Sequence, residues 1–305
     1  AHEAENLALS LQHPEWLVRR WIEQFGYEEA RALCAFDNAQ AVLSLRTNTL
    51  KITRDKLIER LSQEGVEAEA SAWAPEGVLC RRHGALDDLP SLQQGLFQVQ
   101  DESSMLVAHV LAPEPGEFVL DVCSAPGGKT THIAALMEDQ GRIVALDVHA
   151  HKIERIAENC ERLGITSVQP LLLDAREAGA RFSCQADRVL VDAPCSGLGV
   201  LRRRPDARWR KTPEEIAALV PLQRDILRSA AAAVKRGGVL VYSTCTIERE
   251  ENEAVIEDFL SQHEDFILEN TGDFLPLQKR TQKMIQLYPQ RDGTDGFFIA
   301  RLLRR

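Results

Sequence analysis

The sequence predicts an α/β protein whose larger part is a doubly wound, mostly parallel sheet. The apolar runs are mostly continuous, as in parallel strands buried on both faces: "EFVLDVC", "GRIVALDV", "VQPLLLDA", "DRVLVDAP" and "GGVLVYSTC". Helical stretches separate most of these runs, at 127–138, 150–163, 213–235 and 250–262. Near the end, "FILEN" and "GFFIARLL" have the pattern of a closing antiparallel strand pair. Residues 103–305 are therefore predicted to form one doubly wound α/β domain.

Two smaller regions precede this domain. Residues 13–38 have the pattern of two helices, because Pro14 fits a first helical turn and Gly26 fits the position just past a helix end. We therefore expect an N-terminal helical segment over 1–40. From 41 to 102 the pattern changes to short strands around one helix, "TRDKLIERLSQEG", which predicts a small α/β domain.

The composition is that of a globular protein in a reducing compartment. The chain has 305 residues, 44% of them hydrophobic and 27% charged. Its seven cysteines include no Cys-x-x-Cys pair, which argues against a disulfide framework and a zinc knuckle. No apolar run approaches the roughly 18 residues that span a bilayer, and the start lacks a signal-peptide profile. We expect a cytoplasmic monomer without a membrane partner, and the spacing of the eight histidines predicts no metal site.

Polar side chains follow the predicted parallel strands at their carboxyl ends. In chain order, they are Asp121, Cys123, Asp147, Asp174, Asp192, Cys195 and Cys245. Ligands of doubly wound sheets bind beyond these strand ends, near the point where the strand order reverses. One crevice is therefore expected to hold all of these side chains.

The stretch "DVCSAPGGKT" (121–130) indicates which cofactor the crevice takes. A phosphate-binding P-loop would need glycine where Cys123 stands, and the dinucleotide fingerprint Gly-x-Gly-x-x-Gly is also missing. Gly127 and Gly128 still permit close backbone approach at a helix start. Asp147 is placed to accept hydrogen bonds from two ribose hydroxyls, and Asp174 is placed to bind an adenine amino group.

These features describe a ligand with a small charged end and a nucleoside, which is S-adenosylmethionine. The alternative is an ordinary Gly-Gly turn, with aspartates that cap the strand ends. On the first interpretation, the candidate cofactor-binding residues are Cys123, Ser124, Ala125, Pro126, Gly127, Gly128, Lys129, Asp147, Asp174 and Asp192.

The order and spacing of five motifs resemble those of the RNA 5-methylcytosine methyltransferases: "DVCSAPGGKT", "ALDVH", "LLLDAR", "DAPCSG" and "YSTC". The chain is most similar to the bacterial Sun/Fmu group, which modifies 16S ribosomal RNA, and the likeness extends to "LRTNTL", "QDESSM" and "RDGTDGFF". It implies a Rossmann-like methyltransferase domain, an RNA-binding role for the small domain, and 16S rRNA or a small-subunit assembly intermediate as partner. Ser124 replaces the alanine of the group's first motif. Members commonly carry an all-helical NusB-type domain before the region that starts here, so we expect a truncated form or a shorter relative.

The implied chemistry uses thiols because carbon-5 of cytosine is a poor nucleophile. A thiolate that adds to carbon-6 turns the ring into an enamine, and loss of the carbon-5 proton later expels the thiol. A free cysteine has a pKa of about 8.5, so it needs a positive or hydrogen-bonding neighbourhood to ionise at neutral pH. Asp192 suits a hydrogen bond to ring N3, and Lys129 is a candidate to orient the catalytic groups.

The residues alone do not say which thiol attacks. The resemblance assigns attack to Cys245 of the Thr-Cys motif, and resolution of the covalent adduct to Cys195 of the Pro-Cys motif. In DNA 5-methylcytosine enzymes the Pro-Cys cysteine attacks instead, and a free cysteine is most often a small buried hydrophobe. The candidate catalytic residues are Cys245, Cys195, Asp192 and Lys129.

A basic run, "LRRRPDARWRK" (201–211), interrupts an acidic chain. The formal net charge of −10 taken alone argues against a nucleic-acid partner, yet this run has six basic residues and one acid. Because the run directly follows "DAPCSGLGV", its loop should overhang the crevice mouth, where arginines hold phosphates and an indole stacks on a base. A solvated face is the alternative. The candidate RNA-binding residues are Arg202, Arg203, Arg204, Arg208, Trp209 and Arg210, with Arg46, Arg81 and Arg82 as an extension on the small domain.

Three functions remain to be compared. The leading expectation is methyl transfer from S-adenosylmethionine to carbon-5 of a cytosine in RNA, through a covalent cysteine–cytosine adduct. Methylation of DNA is disfavoured by the Thr-Cys motif and by the lack of an evident target-recognition domain. A non-catalytic, RNA-binding ribosome-assembly factor is disfavoured because both cysteines, Asp192 and the glycine loop are all present.

Overall fold

The computed structural model describes residues 2–305 and follows the predicted alternation of strands and helices. Its strands are β1 (Leu43–Thr47), β2 (Glu67–Ala70), β3 (Gly77–Arg82), β4 (Phe97–Val99), β5 (Phe118–Asp121), β6 (Arg142–Asp147), β7 (Val168–Leu172), β8 (Ala186–Asp192), β9 (Val234–Thr244), β10 (Phe266–Leu268), β11 (Met284–Leu287) and β12 (Phe297–Arg304). Its α-helices are α1 (His2–Leu11), α2 (Glu15–Phe25), α3 (Tyr27–Asp37), α4 (Arg54–Gln63), α5 (Pro90–Gln93), α6 (Glu102–Leu111), α7 (Gly128–Leu136), α8 (Ala150–Leu163), α9 (Ala178–Arg181), α10 (Ala207–Arg210), α11 (Pro213–Ala233), α12 (Glu253–Gln262) and α13 (Pro289–Asp292).

The larger sheet has the strand order β10-β12-β9-β8-β5-β6-β7, and β11 pairs with β12. Strands β5 to β9 pair in parallel. Their order reverses between β5 and β8, whose carboxyl ends lie at the same edge of the sheet. The continuous apolar runs arise because helices cover both faces, so that Val119 and Leu120, which point to opposite faces, are both fully buried. The predicted doubly wound α/β class is confirmed.

The closing antiparallel strands are present, and there is one more of them than the sequence pattern suggested. Strand β12 pairs antiparallel with β9 on one side and with both β10 and β11 on the other. The run "GFFIARLL" is buried accordingly: Phe298, Ala300 and Leu302 lie in one core, and Ile299 lies in the other.

Two hydrophobic cores lie on opposite faces of the larger sheet. Helices α11 and α12 pack on one face through residues such as Leu227 and Ile256. Helices α6, α7 and α8 pack on the other face through residues such as Leu106, Ile133 and Ile156. No helix within residues 2–305 combines the length and the apolar composition that crossing a bilayer requires.

The smaller sheet has the order β2-β3-β1-β4, and all of its pairs are antiparallel. Helix α4 packs on it, and Leu57 and Leu61 contribute to a core with Leu45 and Phe97. Helix α6 begins directly after this sheet, and Asp101 caps it by accepting a hydrogen bond from the Ser103 N–H at 3.0 Å. The small sheet is thus joined to the doubly wound domain by only a short stretch of chain.

The N-terminal helices cover the loops that follow β8 and β9. The two helices expected within 13–38 are α2 and α3, separated at Gly26, whose φ of +84° suits glycine. Trp21 and Leu33 pack in a core with Leu198 and Ile247, which lie on those two loops. The N-terminal helices therefore pack against the carboxyl ends of the parallel strands, where the sequence predicted a cluster of polar side chains.

Candidate active site

The carboxyl ends of the parallel strands open into a cavity of about 870 Å³. It is lined by nearly all the predicted cofactor-binding and catalytic residues: Cys123, Ser124, Ala125, Pro126, Gly128, Lys129, Asp147, Asp174, Asp192, Cys195 and Cys245. Gly127 is the one residue of the predicted cofactor-binding set that does not line the cavity. The expectation that one crevice holds the polar strand ends therefore agrees with the geometry.

The glycine loop after β5 is held by hydrogen bonds to β6 and by the conformation of its own backbone. The N–H and the hydroxyl of Ser124 both donate to the carbonyl oxygen of Leu146, at 2.9 and 2.8 Å. Gly127 has a φ of +97°, a conformation that costs other residues free energy, and a side chain there would touch Ile156. Helix α7 begins at the next residue, so its free N–H groups are available at the cavity.

The residues expected to bind a nucleoside have acceptor atoms at the cavity. Asp147, at the end of β6, accepts from the His149 N–H at 3.0 Å through Oδ1, and its Oδ2 lies 3.8 Å from the Lys152 ammonium. Asp174 accepts from the backbone and the guanidinium of Arg176, and the hydrogen bond from that side chain is the main cause that lowers its pKa. Both carboxylates remain acceptors towards the cavity.

Asp121 is a cavity residue to which the sequence assigned no role. Its Oδ2 accepts from the Thr130 hydroxyl at 2.7 Å, whereas its Oδ1 is buried without a partner. Burial raises its pKa to about 7. A buried acceptor without a partner fits a ligand that brings its own donor, such as the ammonium group of S-adenosylmethionine.

The two predicted catalytic thiols lie side by side. Strands β8 and β9 are neighbours and parallel, with Asp192 opposite Ser243, so the loops that follow them leave the sheet together. The sulfur atoms of Cys195 and Cys245 are 3.4 Å apart. Fifty positions of sequence thus separate two side chains that share one hydrogen bond.

The surroundings of the two thiols differ in charge. The hydrogen bond from Cys195 lowers the pKa of Cys245; burial and the Asp192 carboxylate oppose this shift, and the positive charges of Lys129 and Arg204 support it. The pKa of Cys195 is raised, first by its hydrogen bond to Cys245, then by burial, and also by the carboxylate of Glu251. This electrostatic environment favours the thiolate at Cys245.

Lys129 and Asp192 form an ion pair beside the thiols. The Lys129 ammonium lies 2.7 Å from Asp192 Oδ2, and the Ser243 hydroxyl donates to Asp192 Oδ1 at 2.8 Å. Burial lowers the pKa of Lys129, but Asp192, Cys245 and Asp121 together outweigh burial, and the net pKa is raised. Lys129 is therefore a fixed cation, and Phe297 lies beneath its ammonium at 5.1 Å.

Backbone contacts hold the thiol loops together. The Gly199 N–H donates to the Cys245 carbonyl oxygen at 3.0 Å, and the Gly296 N–H donates to the Gly199 carbonyl oxygen at 2.7 Å. A Cβ atom on either glycine would collide with the backbone of the other. Next to Cys195, the Ser196 N–H and hydroxyl donate to Glu251 at 2.8 and 2.5 Å.

Some side chains of the basic run are exposed, whereas others contact the rest of the protein. Arg204, Trp209 and Arg210 are exposed, and Arg204 lines the cavity. Arg202 stacks on Phe36 at 4.3 Å and lies 3.5 Å from Asp295.

Two other arginines of the run are tied to distant parts of the chain. Arg203 pairs with Asp101 and Asp295 at 2.5 Å each. Arg208 is only 3% exposed and donates to the carbonyl oxygens of Gln12 and Asp37 and to the Asn38 amide oxygen. These placements argue against RNA contact by Arg208, because its donors are used inside the protein.

The expected extension of this surface over the small domain also needs correction. Arg81 and Arg82 are exposed on β3, as a nucleic-acid surface would need. Arg46 is only 1% exposed, so it does not reach an RNA backbone.

Comparison with known proteins places these observations in a family. The family model described as 16S rRNA methyltransferase RsmB/F matches residues 108–303, and a model described as a ferredoxin-like domain of RsmF/B-like methyltransferases matches residues 13–87. The probable ribosomal RNA small subunit methyltransferase B of Bacillus subtilis is 42% identical over 309 residues. That alignment covers 98% of this chain and 68% of the relative.

Two solved structures from Pyrococcus horikoshii have the same fold. A methyltransferase homolog superposes with a TM-score of 0.86 at 31% identity, over 100% of both chains. NSun6 with SFG, an analogue of S-adenosylmethionine, superposes with a TM-score of 0.85 at 27% identity, over 95% of this chain and 98% of that one. Since the methyltransferase model spans more than half of the sequence and the Bacillus relative matches nearly all of it, this chain belongs to the RsmB/F family of 16S rRNA methyltransferases.

Proposed function

We propose that this protein transfers a methyl group from S-adenosylmethionine to carbon-5 of a cytosine in 16S ribosomal RNA, through a covalent bond between Cys245 and the base. The observation that carries the proposal is the pair of thiols 3.4 Å apart at the cofactor crevice. The hydrogen bond between them lowers the pKa of Cys245 and raises that of Cys195. We expect the protein to act as a monomer in the cytoplasm.

The cofactor assignment rests on acceptors at three strand ends. Asp147 would hold the ribose hydroxyls, Asp174 the adenine amino group, and Asp121 the ammonium of the methionine part. The glycine loop and the start of α7 would hold the carboxylate. When bound, S-adenosylmethionine supplies an electrophilic methyl group on its sulfonium.

Cys245 begins the chemistry in this proposal. Its thiolate adds to carbon-6 of the cytosine, which forms a sulfur–carbon bond and moves the ring electrons towards carbon-5. Lys129 stabilises the thiolate beforehand through its positive charge. Asp192, positioned by Lys129 and Ser243, donates to ring N3 in its protonated form, and that hydrogen bond draws electrons away from carbon-6.

Cys195 ends the cycle. Once carbon-5 has taken the methyl group and S-adenosylhomocysteine has formed, the carbon-5 proton must pass to a base so that the ring electrons can return and break the sulfur–carbon bond, with Cys245 leaving as a thiolate. We assign this resolution to Cys195, which contacts the sulfur that must depart. After it has lost its own proton to solvent, its thiolate accepts the carbon-5 proton, and its raised pKa makes it a strong acceptor.

The RNA assignment rests on the mouth of the crevice. Arg204 lines the cavity and is exposed, and Arg210 and Trp209, further along the run, are exposed as well. The two arginines are free to neutralise phosphates, and the Trp209 ring, 61% exposed, is available to stack on a base. A small positively charged surface beside the cavity, on a chain that is acidic overall, fits an RNA that is bound only at the cavity entrance. The printed names of the family model and of the Bacillus relative support small-subunit rRNA as that partner.

The proposal is tested by methyl transfer from labelled S-adenosylmethionine to 16S rRNA, to the partly assembled small subunit and to DNA of the same sequence. We expect label in RNA only, recovered as 5-methylcytidine after digestion to nucleosides. Label in DNA would support the DNA enzyme. RNA binding without any transfer would support the non-catalytic assembly factor, and label in another nucleoside would refute the carbon-5 chemistry.

A further inference from the structure

The small domain contacts the helix that follows the glycine loop. Arg46, on β1, is buried, and its guanidinium donates to the carbonyl oxygen of Gly128, the first residue of α7. It also donates to the Thr131 hydroxyl at 2.9 Å and to the side chain of Gln100. One side chain of the small domain therefore holds the first turn of α7.

A second contact reaches the same helix from the small domain. Glu76 precedes β3 and is 6% exposed. Its carboxylate lies 2.9 Å from His132 Nε2 on α7 and 3.0 Å from His109 Nε2 on α6. The Glu76 carbonyl oxygen accepts from the Thr47 N–H at 2.9 Å, which places this residue beside the strand of Arg46.

Glu76 also balances the charge of Arg46. Burial lowers the pKa of the Arg46 guanidinium to about 9, and the Glu76 carboxylate opposes that shift. A buried arginine without an opposite charge would be costly. Arg46 and Glu76 therefore form one unit, in which the arginine positions backbone and the glutamate stabilises the arginine.

A metal ion at Glu76, His109 and His132 is the competing explanation. Their ligand atoms lie within 4.8 Å of one another, and two histidines with one glutamate form a known zinc ligand set. Two observations oppose it. A divalent cation would compete with Arg46 for the Glu76 charge. Both ring nitrogens of His132 are buried without a hydrogen-bond partner, so if Nε2 bound a metal, Nδ1 would still lack the partner that orients zinc-bound histidines.

We propose that Arg46 is a positioning residue for the cofactor site: the small domain, through Arg46 and Glu76, holds the start of α7 in the conformation that binds S-adenosylmethionine. Arg46 does not line the cavity, whereas Gly128 and Gln100, which it contacts, do. Without Arg46, cofactor binding would have to order the glycine loop, and affinity would fall. The inference rests on the proposed placement of the cofactor at this loop.

Arg162 provides a matched control. It lies on α8 and also joins the two domains, because its guanidinium donates to the carbonyl oxygens of Leu92 and Phe97 at 3.3 and 3.0 Å. Within residues 2–305 its guanidinium makes no hydrogen bond to α7, and it does not line the cavity. Its link to the glycine loop is indirect, through Asn159, whose amide donates to the Pro126 carbonyl oxygen at 2.8 Å. Losing this guanidinium should therefore weaken the contact between the domains and disturb the glycine loop much less than losing Arg46.

The test is calorimetric titration of S-adenosylhomocysteine into the full chain, with thermal unfolding measured in parallel. Arg46→Met should weaken binding about tenfold or more, the scale expected when several hydrogen bonds to buried groups are lost. Arg162→Met should stay within about twofold of the parent chain. Arg46→Lys keeps the positive charge but has fewer hydrogen-bond donors, so its affinity should lie between those of Arg46→Met and the parent chain. This variant provides a second measurement if Arg46→Met does not fold.

Several results would overturn the inference. Unchanged affinity in Arg46→Met or in Arg46→Lys, or equal losses in the Arg46 and Arg162 variants, would reduce Arg46 to a residue of general stability. Binding of one equivalent of added zinc that is lost in His132→Ala would overturn the role given to Glu76. Failure of the unsubstituted chain to bind S-adenosylhomocysteine would reject the proposed cofactor site and, with it, this inference.

Discussion

The loops after β8 and β9 present the same side chain at the same edge of one sheet, yet their cysteines differ. Their shared hydrogen bond lowers the pKa of Cys245 and raises that of Cys195; Lys129 and Arg204 add to the first shift, and burial and Glu251 add to the second. The sulfur atoms are only 3.4 Å apart, so distance to the substrate cannot separate their roles. The difference teaches that the hydrogen bond between the thiols and the charges around them, rather than the thiol itself, divide nucleophile from partner.

The largest expected effect comes from removing each thiol in turn. Cys245→Ala should abolish both methyl transfer and covalent bonding to RNA, because no thiolate remains to attack carbon-6. Cys195→Ala should still attack and methylate but fail to release, so a protein–RNA adduct should survive denaturation. A denaturing gel with labelled RNA measures both outcomes, and the double variant should behave like Cys245→Ala.

The opposite result in the two cysteine variants would mean that Cys195 is the nucleophile and Cys245 resolves the adduct. An adduct that accumulates in Cys245→Ala and disappears in Cys195→Ala would mean that Cys195 attacks, as in DNA enzymes. Full activity in both variants would reject the thiol mechanism altogether.

Removing the cation beside Cys245 should have the next largest effect. Lys129→Met takes away a positive charge and frees the Asp192 carboxylate, and both changes raise the pKa of Cys245. Because the thiolate fraction then rises only at higher pH, alkylation of Cys245 at pH 7 should slow by roughly 10- to 100-fold, the scale of one to two pKa units.

Peptide-resolved mass spectrometry over a pH series measures that shift for one thiol at a time. Lys235→Met is the matched control, since Lys235 pairs with Asp187 at 2.7 Å away from the cavity. An alkylation profile of Cys245 that is the same in Lys129→Met and the parent chain would remove Lys129 from the activation of the thiol.

The Cys195 side is tested by Glu251→Gln. Glu251 accepts from the Ser196 N–H and hydroxyl and from the Gln223 amide, so replacing an acceptor oxygen by a donor should cost about 1–2 kcal/mol of unfolding free energy. Alkylation of Cys195 should shift to lower pH because a negative charge is lost, while that of Cys245 should move less. Chemical denaturation and the same mass-spectrometric assay check both expectations, and a larger shift at Cys245 would contradict the comparison.

Arg204→Gln should have the smallest effect. Arg204 is exposed, so its influence on the pKa of Cys245 is screened by solvent, and alkylation should change less than in Lys129→Met. RNA affinity should fall a few-fold, and the slope of log affinity against log salt should drop by about one, as for one lost phosphate contact. Arg228→Gln, on the exposed face of α11, should leave both the slope and the alkylation rate unchanged. An unaltered slope in Arg204→Gln would identify the run as a solvated face.

Much of the fold could be predicted because its signals are local. The period of the apolar residues located α8 at its observed ends, and the polar residues after β8 and β9 indicated the shared crevice. The sequence pattern does not predict which charged side chains are buried. Arg208 hydrogen-bonds to Gln12 and Asp37, which are more than 170 positions away in the sequence, so the composition of its own run does not reveal these partners.

The same limit explains the residues that sequence reasoning missed. Arg46 was expected on an RNA surface, but it is buried because the small sheet packs against α7. The spacing of the histidines predicted nothing at Glu76, since His109 and His132 come from two different helices. Asp121 ends its strand like the other aspartates, and nothing in the sequence shows that one of its oxygens is buried without a partner.

The contact between Gly199 and Gly296 has a consequence for how this protein tolerates change. Neither residue carries a side chain that could touch a substrate, yet even an alanine at either position would push the Cys245 loop away from its neighbour. A saturation mutagenesis screen scored by activity should therefore rank both glycines beside the cysteines. Positions intolerant of substitution would then outnumber the groups that perform the chemistry, and a map of the active site drawn from such a screen would include part of its scaffold.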